Sequence, residues 1–191
     1  MRTETTTRTL YKFEELSDDA QQHALEKLYD LNVDHDWWDC SYEAITTAAH
    51  CLGIDCTVEG FDLDRGQSID LRGTYAYRKN WRAALAQEFG GDLLATLAKI
   101  GEELQAVQRP AFYTASAKLH RSYYGRGGTR YDIDQEKGAD VYDDLTDALR
   151  SFEHWAWCLL RDEYEHLTSE EAIKETIEAN EYEFDEDGDL V

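Results

Sequence analysis

Residues 140–166 carry the most regular apolar pattern in the chain. Apolar side chains recur there at steps of three and four residues: Val141, Leu145, Ala148, Phe152, Trp155 and Leu159. A period of about 3.6 residues places such side chains on one stripe of an α-helix. The pattern therefore predicts a long amphipathic helix that must bury this stripe against other parts of the chain.

Shorter patterns predict the remaining elements. Cap residues and apolar periodicity predict helices over residues 18–31, 36–52 and 80–108, with Ser17 and Asp36 as caps, a stop at Gly53 and a break at Gly90. A capping box over residues 168–171 predicts a further short helix that ends at Asn180. Thr-rich and alternating segments predict a strand over 5–13 and two hairpins, 54–63 with 67–77 and 112–124 with 129–134. Residues 182–191 predict a small terminal hairpin.

This order of elements predicts an α+β fold. Hairpins build antiparallel sheets, and the amphipathic helices need such a surface to cover. The chain has 191 residues, of which 42% are hydrophobic, and shows neither an internal repeat nor a low-complexity linker. We therefore expect a single domain over residues 1–191, with several helices packed on a mostly antiparallel sheet.

Charge is distributed unevenly along the chain. Forty-one Asp and Glu oppose 19 Lys and Arg, which gives a formal net charge of −22. Residues 139–191 hold eighteen acidic side chains against three basic ones, a local balance of −15. Such an excess repels phosphate backbones and anionic lipid, so we expect neither direct nucleic-acid binding nor membrane binding. The N-terminus shows no apolar signal core, and a cytoplasmic protein is expected.

Several segments resemble a family of small proteins from tailed bacteriophages. The residues that carry the resemblance are 11–20 (YKFEELSDDA), 34–39 (DHDWWD) with Tyr42-Glu43, Phe112-Tyr113 with His120 and Tyr123-Tyr124, and 179–184 (ANEYEF) with 186–188 (EDG). Members often bear the automatic label "antitoxin of toxin–antitoxin stability system", which comes without a mechanism. The resemblance implies a phage or prophage origin and the host-cell cytoplasm, and it supplies no catalytic residues.

The hairpin over residues 120–131 is the best candidate for a small-ligand site. It combines basic and aromatic side chains around a glycine-rich turn, and forked arginine donors suit phosphate while tyrosine rings stack on bases. A nucleotide-like ligand is therefore a sensible occupant. An alternative interpretation is a surface hairpin whose arginines pair with the surrounding acid. The predicted contact residues are Arg121, Tyr123, Arg126 and Arg130.

The acidic C-terminal third is the candidate for protein binding. Carboxylates on helices can imitate nucleic acid and occupy a basic groove on a host protein, and they speed the encounter by steering. The alternative is that the charge only keeps the protein dissolved. The predicted partner-binding acidic face comprises Asp143, Asp144, Asp147, Glu170, Glu171 and Glu175.

Catalytic and metal signatures are missing from the sequence. Among the cysteines Cys40, Cys51, Cys56 and Cys158, only Cys51 and Cys56 lie close together, and the second pair that a zinc site needs is missing, so we expect structural thiols. No nucleophile–base pair or cofactor loop stands out, so we expect no cofactor, no metal and no enzymatic activity.

Two classes of function follow from these patterns. The first is a non-enzymatic phage accessory protein that binds and inhibits or modulates a host protein, as an anti-defence factor or acidic nucleic-acid mimic. The second is a binder of nucleotide-type small ligands that acts as a signal sponge. An antitoxin-like binding protein is a further alternative, and the sequence does not indicate the oligomeric state.

Overall fold

Six α-helices and four β-strands make up the described part of the chain. The computed structural model describes residues 8–108, 114–122, 128–133 and 139–191, the side chains of residues 139 and 140 excepted. The helices are α1 (Asp18–Lys27), α2 (Asp39–Leu52), α3 (Trp81–Glu88), α4 (Gly91–Ala106), α5 (Ala139–Leu167) and α6 (Glu170–Ala179). The strands are β1 (Ile54–Asp62), β2 (Ser68–Ala76), β3 (Ser116–Arg121) and β4 (Thr129–Ile133). The α+β prediction is confirmed.

The chain divides into two compact units. One unit combines residues 1–37 with residues 162–191, and the other comprises residues 38–161, which include the whole sheet. Helix α5 contributes residues to both units. The expectation of a single domain over 1–191 stays a prediction.

The sheet of the larger unit is built from two hairpins, as predicted. All strands are antiparallel neighbours in the order β1-β2-β3-β4. Within the second hairpin, Leu119 pairs with Tyr131 and His120 pairs with Arg130. Successive residues of a strand point to opposite faces, so these two pairs lie on opposite sides of the sheet. Leu119 and Tyr131 are buried, whereas His120 and Arg130 are exposed.

Glycine closes α2 and sets the start of the sheet. Gly53 adopts φ +86°, and its amide donates to the carbonyls of Ala49 and His50. The carbonyl of Gly53 in turn accepts from the amide of Ala76 at the end of β2. A Cβ at residue 53 would collide with the Ala76 carbonyl. The predicted stop of the helix at Gly53 is therefore enforced by both conformation and space.

The long helix α5 bears out the predicted stripe. Leu145 and Phe152 are fully buried, Trp155 is 9% exposed, and only Leu159 of the six predicted positions is half-buried. Burial of the stripe removes apolar surface from water. This packing stabilises the helix more than the intrinsic helix propensity of its residues does.

The smaller unit has its own apolar cluster. Phe13, Leu25, Ile177 and Phe184 belong to it, together with Leu16, Ala20, Ala24 and Ile173. Ser17 caps α1 by accepting from the amide of Ala20, and Ser169 caps α6 by accepting from the amide of Ala172. The Ser17 cap was predicted from the sequence; at α6 the sequence predicts a capping box over residues 168–171, and the structure places the cap at Ser169.

Two predicted elements differ from the structure. Within the described part of residues 5–13, Tyr11 forms only an isolated bridge with Phe184, and a 3₁₀ helix starts at Phe13. Among the described residues, no partner strand longer than this bridge lies beside the segment, so a ladder of backbone hydrogen bonds cannot extend. The predicted cap Asp36 is also wrong, because α2 begins at Asp39 after Trp38. The predicted helix over 80–108 is split at Gly90, as the glycine pair indicated.

A helix that crosses a bilayer needs about 20 consecutive, mostly apolar residues. In the part of the chain that the structure describes, no helix is both long enough and apolar enough to cross a bilayer.

Candidate functional site

The predicted ligand residues are only partly visible in the structure. Tyr123 and Arg126 lie outside the described residues. Arg121 pairs with Thr129 and Arg130 pairs with His120, so Arg121 and Arg130 project from opposite faces of the β3–β4 ladder. The described pair is therefore not brought together around one small ligand. That the four residues form one site stays a prediction.

Arg121 is engaged by a buried carboxylate. Its Nε lies 2.9 Å from Oδ2 of Asp70 on β2, and Asp70 is only 7% exposed. The other carboxylate oxygen, Oδ1, accepts from the amide of Gly128 at 2.8 Å. A buried carboxylate requires such partners, because an unpaired charge inside a protein is costly. Arg121 therefore neutralises the charge of Asp70. This pairing weakens the prediction that Arg121 donates hydrogen bonds to the phosphate of a ligand.

A second carboxylate, that of Glu153, binds Thr129, the residue that follows Gly128 in the same hairpin. Oε1 of Glu153 on α5 accepts from the amide of Thr129 at 3.1 Å, and Oε2 accepts from the Tyr131 hydroxyl at 2.7 Å. Burial raises the pKa of Glu153 above its ordinary value of 4.5, although the hydrogen bonds from Tyr131 and Thr129 act to lower it. Burial of the Tyr131 hydroxyl, together with the nearby charge of Glu153, raises the pKa of Tyr131.

A cleft of about 340 Å³ lies beside this network. Trp157 forms part of its wall and is fixed by a hydrogen bond from its Nε1 to the carbonyl of Asp62 at 3.0 Å. His154 stacks on Trp157 with ring centres 6.1 Å apart. The amides of Gly128 and Thr129 also line the cleft, but both already donate to carboxylates. The arrangement therefore fastens the hairpin to β2 and α5, and it does not offer these amides to an anion.

The predicted acidic face falls on two units. Asp143, Asp144 and Asp147, which we call the α5 acidic patch, lie in the larger unit; Glu170, Glu171 and Glu175, the α6 acidic patch, lie in the smaller one. All six side chains are exposed. Among the described residues, basic groups approach only two of them: Arg150 at 3.9 Å from Asp147 and Lys174 at 3.7 Å from Glu170. Most of these carboxylates therefore face solvent with no counter-charge from the described part of the chain.

A groove runs between α4 and α5 next to the α5 acidic patch. Its volume is about 430 Å³. Among the described residues, Glu103 on α4 and Asp144 and Asp147 on α5 supply carboxylates to it, and Ala106, Val107, Ala148 and Ser151 also line it. Val107 and Ala148 are buried. The groove thus combines apolar side chains with exposed acid, which suits a cationic group attached to an aliphatic stem.

The described residues contain no grouping of three His, Cys, Asp or Glu side chains that could hold a metal ion. All four cysteines are free thiols, with Cys51 buried and Cys40 exposed. Burial raises the pKa of Cys56 to about 11, so this thiol is protonated at neutral pH. Cys158 lies 3.6 Å from Nε2 of His154.

Sequence reasoning does not single out Asp70, Glu153 or Glu103. Asp70 stands between the apolar residues Ile69 and Leu71, and a charge within such a strand is a usable signal of a buried partner. Glu153 follows Phe152 at the border of the α5 stripe, where a long side chain reaches a neighbouring strand. Glu103 joins the groove only through tertiary packing, for which the sequence holds no local signal.

Comparisons with known proteins identify the family of the chain. No curated protein and no solved structure matches the chain. The resemblance to tailed-phage proteins stays a prediction. Residues 37–170 match the family described as Domain of unknown function (DUF8835), and because this match spans more than half of the 191 residues, the chain belongs to that family.

Proposed function

We propose that this protein is a non-enzymatic binding protein whose acidic surface engages a basic surface on a host protein. The observation that carries the proposal is the exposure of the α5 and α6 acidic patches. Among the described residues, four of the six carboxylates, Asp143, Asp144, Glu171 and Glu175, have no basic side chain within 4 Å. A partner with lysines and arginines could supply the missing counter-charges.

The overall charge favours the same partner. A protein with a formal charge of −22 attracts cationic surfaces over roughly a Debye length, about 8–10 Å at physiological salt. This field speeds the encounter, and it discriminates against acidic proteins and nucleic acid. Grooves with which host proteins bind nucleic acid are basic surfaces of this kind. Nucleic-acid mimicry and anti-defence activity are therefore the specific forms of host-protein binding that we propose.

The origin and place of action belong to the proposal as well. A phage protein acting in the host cytoplasm would meet such nucleic-acid-handling proteins directly. An antitoxin-like role fits the same mode of binding, since it also requires one protein to occupy another. A nucleotide-binding role has less support, because Arg121 is neutralised by Asp70.

Capture from bacterial lysate tests the proposed function. The folded protein serves as bait at low salt, beside a variant in which Asp143, Asp144, Asp147, Glu170, Glu171 and Glu175 are replaced by Asn or Gln. We expect the natural protein to retain a basic protein that elutes as salt is raised, and the variant to lose it. Retention of that protein by both baits would contradict the proposal.

The variant must remain folded for this comparison. Exposed charges contribute little to stability, so the two baits should melt at similar temperatures. If the purified natural protein instead carries an ultraviolet-absorbing small molecule and retains no protein, the nucleotide-binding alternative replaces the proposal.

A further inference from the structure

The groove between α4 and α5 differs from the remaining acidic surface in having an apolar lining. Val107 is 6% exposed and Ala148 is 3% exposed, and both line the groove together with Ala106. Glu103 lies on one helix, and Asp144 and Asp147 lie on the other. A side chain that enters the groove therefore meets carboxylates from both helices and an apolar surface between them.

We infer that this groove is the docking site for an arginine-bearing segment of the partner protein. The inference rests on the proposed function, and it adds the location of the site and the chemistry of the group that enters it. The guanidinium lies among Glu103, Asp144 and Asp147, and the aliphatic stem packs on Ala106, Val107 and Ala148. Charge complementarity selects the head group, and the apolar lining selects a side chain with a long stem.

Arginine fits this groove better than lysine. Its planar guanidinium carries five donors that can serve carboxylates on two sides at once. It is also less strongly hydrated than an ammonium group, so that resting on an alanine and valine surface removes less favourable hydration. A flat carboxylate surface offers the stem no apolar contact. The signature of the groove is therefore a preference for arginine that disappears with the groove carboxylates and not with those of the α6 acidic patch.

The α6 acidic patch provides a matched comparison. It carries three carboxylates, as the groove does, and each set has one basic neighbour: Lys174 lies 3.7 Å from Glu170, and Arg150 lies 3.9 Å from Asp147. Neutralising three carboxylates at either place removes the same formal charge from the protein. A difference between the two variants therefore reports on location and not on net charge.

Fluorescence anisotropy with labelled peptides tests the inference. The probes are a hexa-arginine peptide and a hexa-lysine peptide, titrated at low salt with the full-length protein. We expect tighter binding of hexa-arginine. The groove variant E103Q/D144N/D147N should weaken hexa-arginine binding by about tenfold and abolish the preference over hexa-lysine. The control variant E170Q/E171Q/E175Q should retain the preference for arginine.

A steric variant separates the groove from its charges. Ala106 is exposed on α4, so Ala106→Phe can place a ring in the groove without changing the net charge. We expect it to weaken hexa-arginine binding while thermal melting stays unchanged. Equal affinity for both peptides, or equal effects of the groove and control variants, would overturn the inference. Those results would leave the proposed function intact if lysate capture still depends on the six carboxylates, and they would end both ideas if it does not.

Discussion

The hydroxyl of Tyr131 on β4 donates a hydrogen bond of 2.7 Å to Oε2 of Glu153 on α5, and this bond ties an edge strand of the sheet to the longest helix. The other carboxylate oxygen of Glu153 accepts from the amide of Thr129. Asp70 performs the same task for Gly128, the preceding residue. The carboxylates of Asp70 and Glu153 therefore hold the beginning of β4 in place. The polar groups that they bind are engaged within the fold and are not available to a ligand.

Replacing Glu153 with Gln should change the pH dependence of stability. The pKa of Glu153 is raised by burial, so its carboxyl binds a proton more tightly in the folded chain than in the unfolded chain. Its contribution to stability is therefore complete below the ordinary pKa of 4.5 and is lost as the pH rises through the raised pKa. Chemical denaturation between about pH 4 and pH 8 should show Glu153→Gln gaining stability relative to the natural protein as the pH rises. A difference that does not vary with pH would refute this assignment.

Replacing Arg121 with Ala should destabilise the protein. The substitution leaves Asp70, which is 7% exposed, without its cation, and we expect a loss of about 1–3 kcal/mol. Arg130→Ala is the matched control, since Arg130 and its partner Asp132 are exposed, and it should change stability by less than about 0.5 kcal/mol. A double-mutant cycle with Asp70→Asn should give a coupling energy of about 1–2 kcal/mol. Additive effects would mean that the ion pair does not stabilise the fold.

Truncating Trp155 should be among the most damaging changes in α5. Its ring is 9% exposed and lies 5.4 Å from the ring of Phe152. Trp155→Ala removes this contact and leaves a cavity, so the free energy of unfolding should fall by about 3–5 kcal/mol. Thermal melting provides the measurement. A small shift would show that the ring is not part of the core.

Adding a methyl group at Gly101 should destabilise α4, although Gly to Ala in a helix is normally favourable by about 1 kcal/mol. A Cβ there would collide with the ring of Trp81, which is 3% exposed and whose Nε1 donates to Oε1 of Gln105 at 3.0 Å. We expect a net loss of about 1–2 kcal/mol by chemical denaturation. In a Trp81→Leu background the same substitution should be neutral or stabilising, and an identical loss in both backgrounds would contradict the proposed collision.

Local patterns predicted much of the fold. The α5 stripe, both hairpins and the Ser17 cap follow from side-chain spacing and cap chemistry, which act within a few residues. Over its described residues, 8–13, the predicted strand was wrong because a strand needs a partner, and strand propensity does not reveal whether one is present. The cap at Asp36 was wrong because α2 begins at Asp39 with Trp38 at its N-cap, and no side-chain cap marks that start in the sequence.

The candidate site was harder to predict. Exposed acid on α5 and α6 was visible as a charge pattern, and the predicted carboxylates are indeed exposed. The pairing of Arg121 with Asp70 joins β3 to β2 across about fifty residues of sequence, and Glu103 lines the same groove as Asp147 although the two residues are more than forty positions apart. Such long-range contacts depend on the whole fold, so a sequence pattern indicates the residue types but not their partners.

The salt dependence of partner affinity tests the central proposal most directly. The dissociation constant of the captured host protein should be measured by calorimetry at increasing salt for the natural protein and for the variant that lacks the six carboxylates. We predict that affinity of the natural protein falls steeply as salt rises, whereas the variant binds weakly with a flat dependence. An affinity that is unchanged by salt, or unchanged by removal of the carboxylates, would contradict binding through the acidic surface.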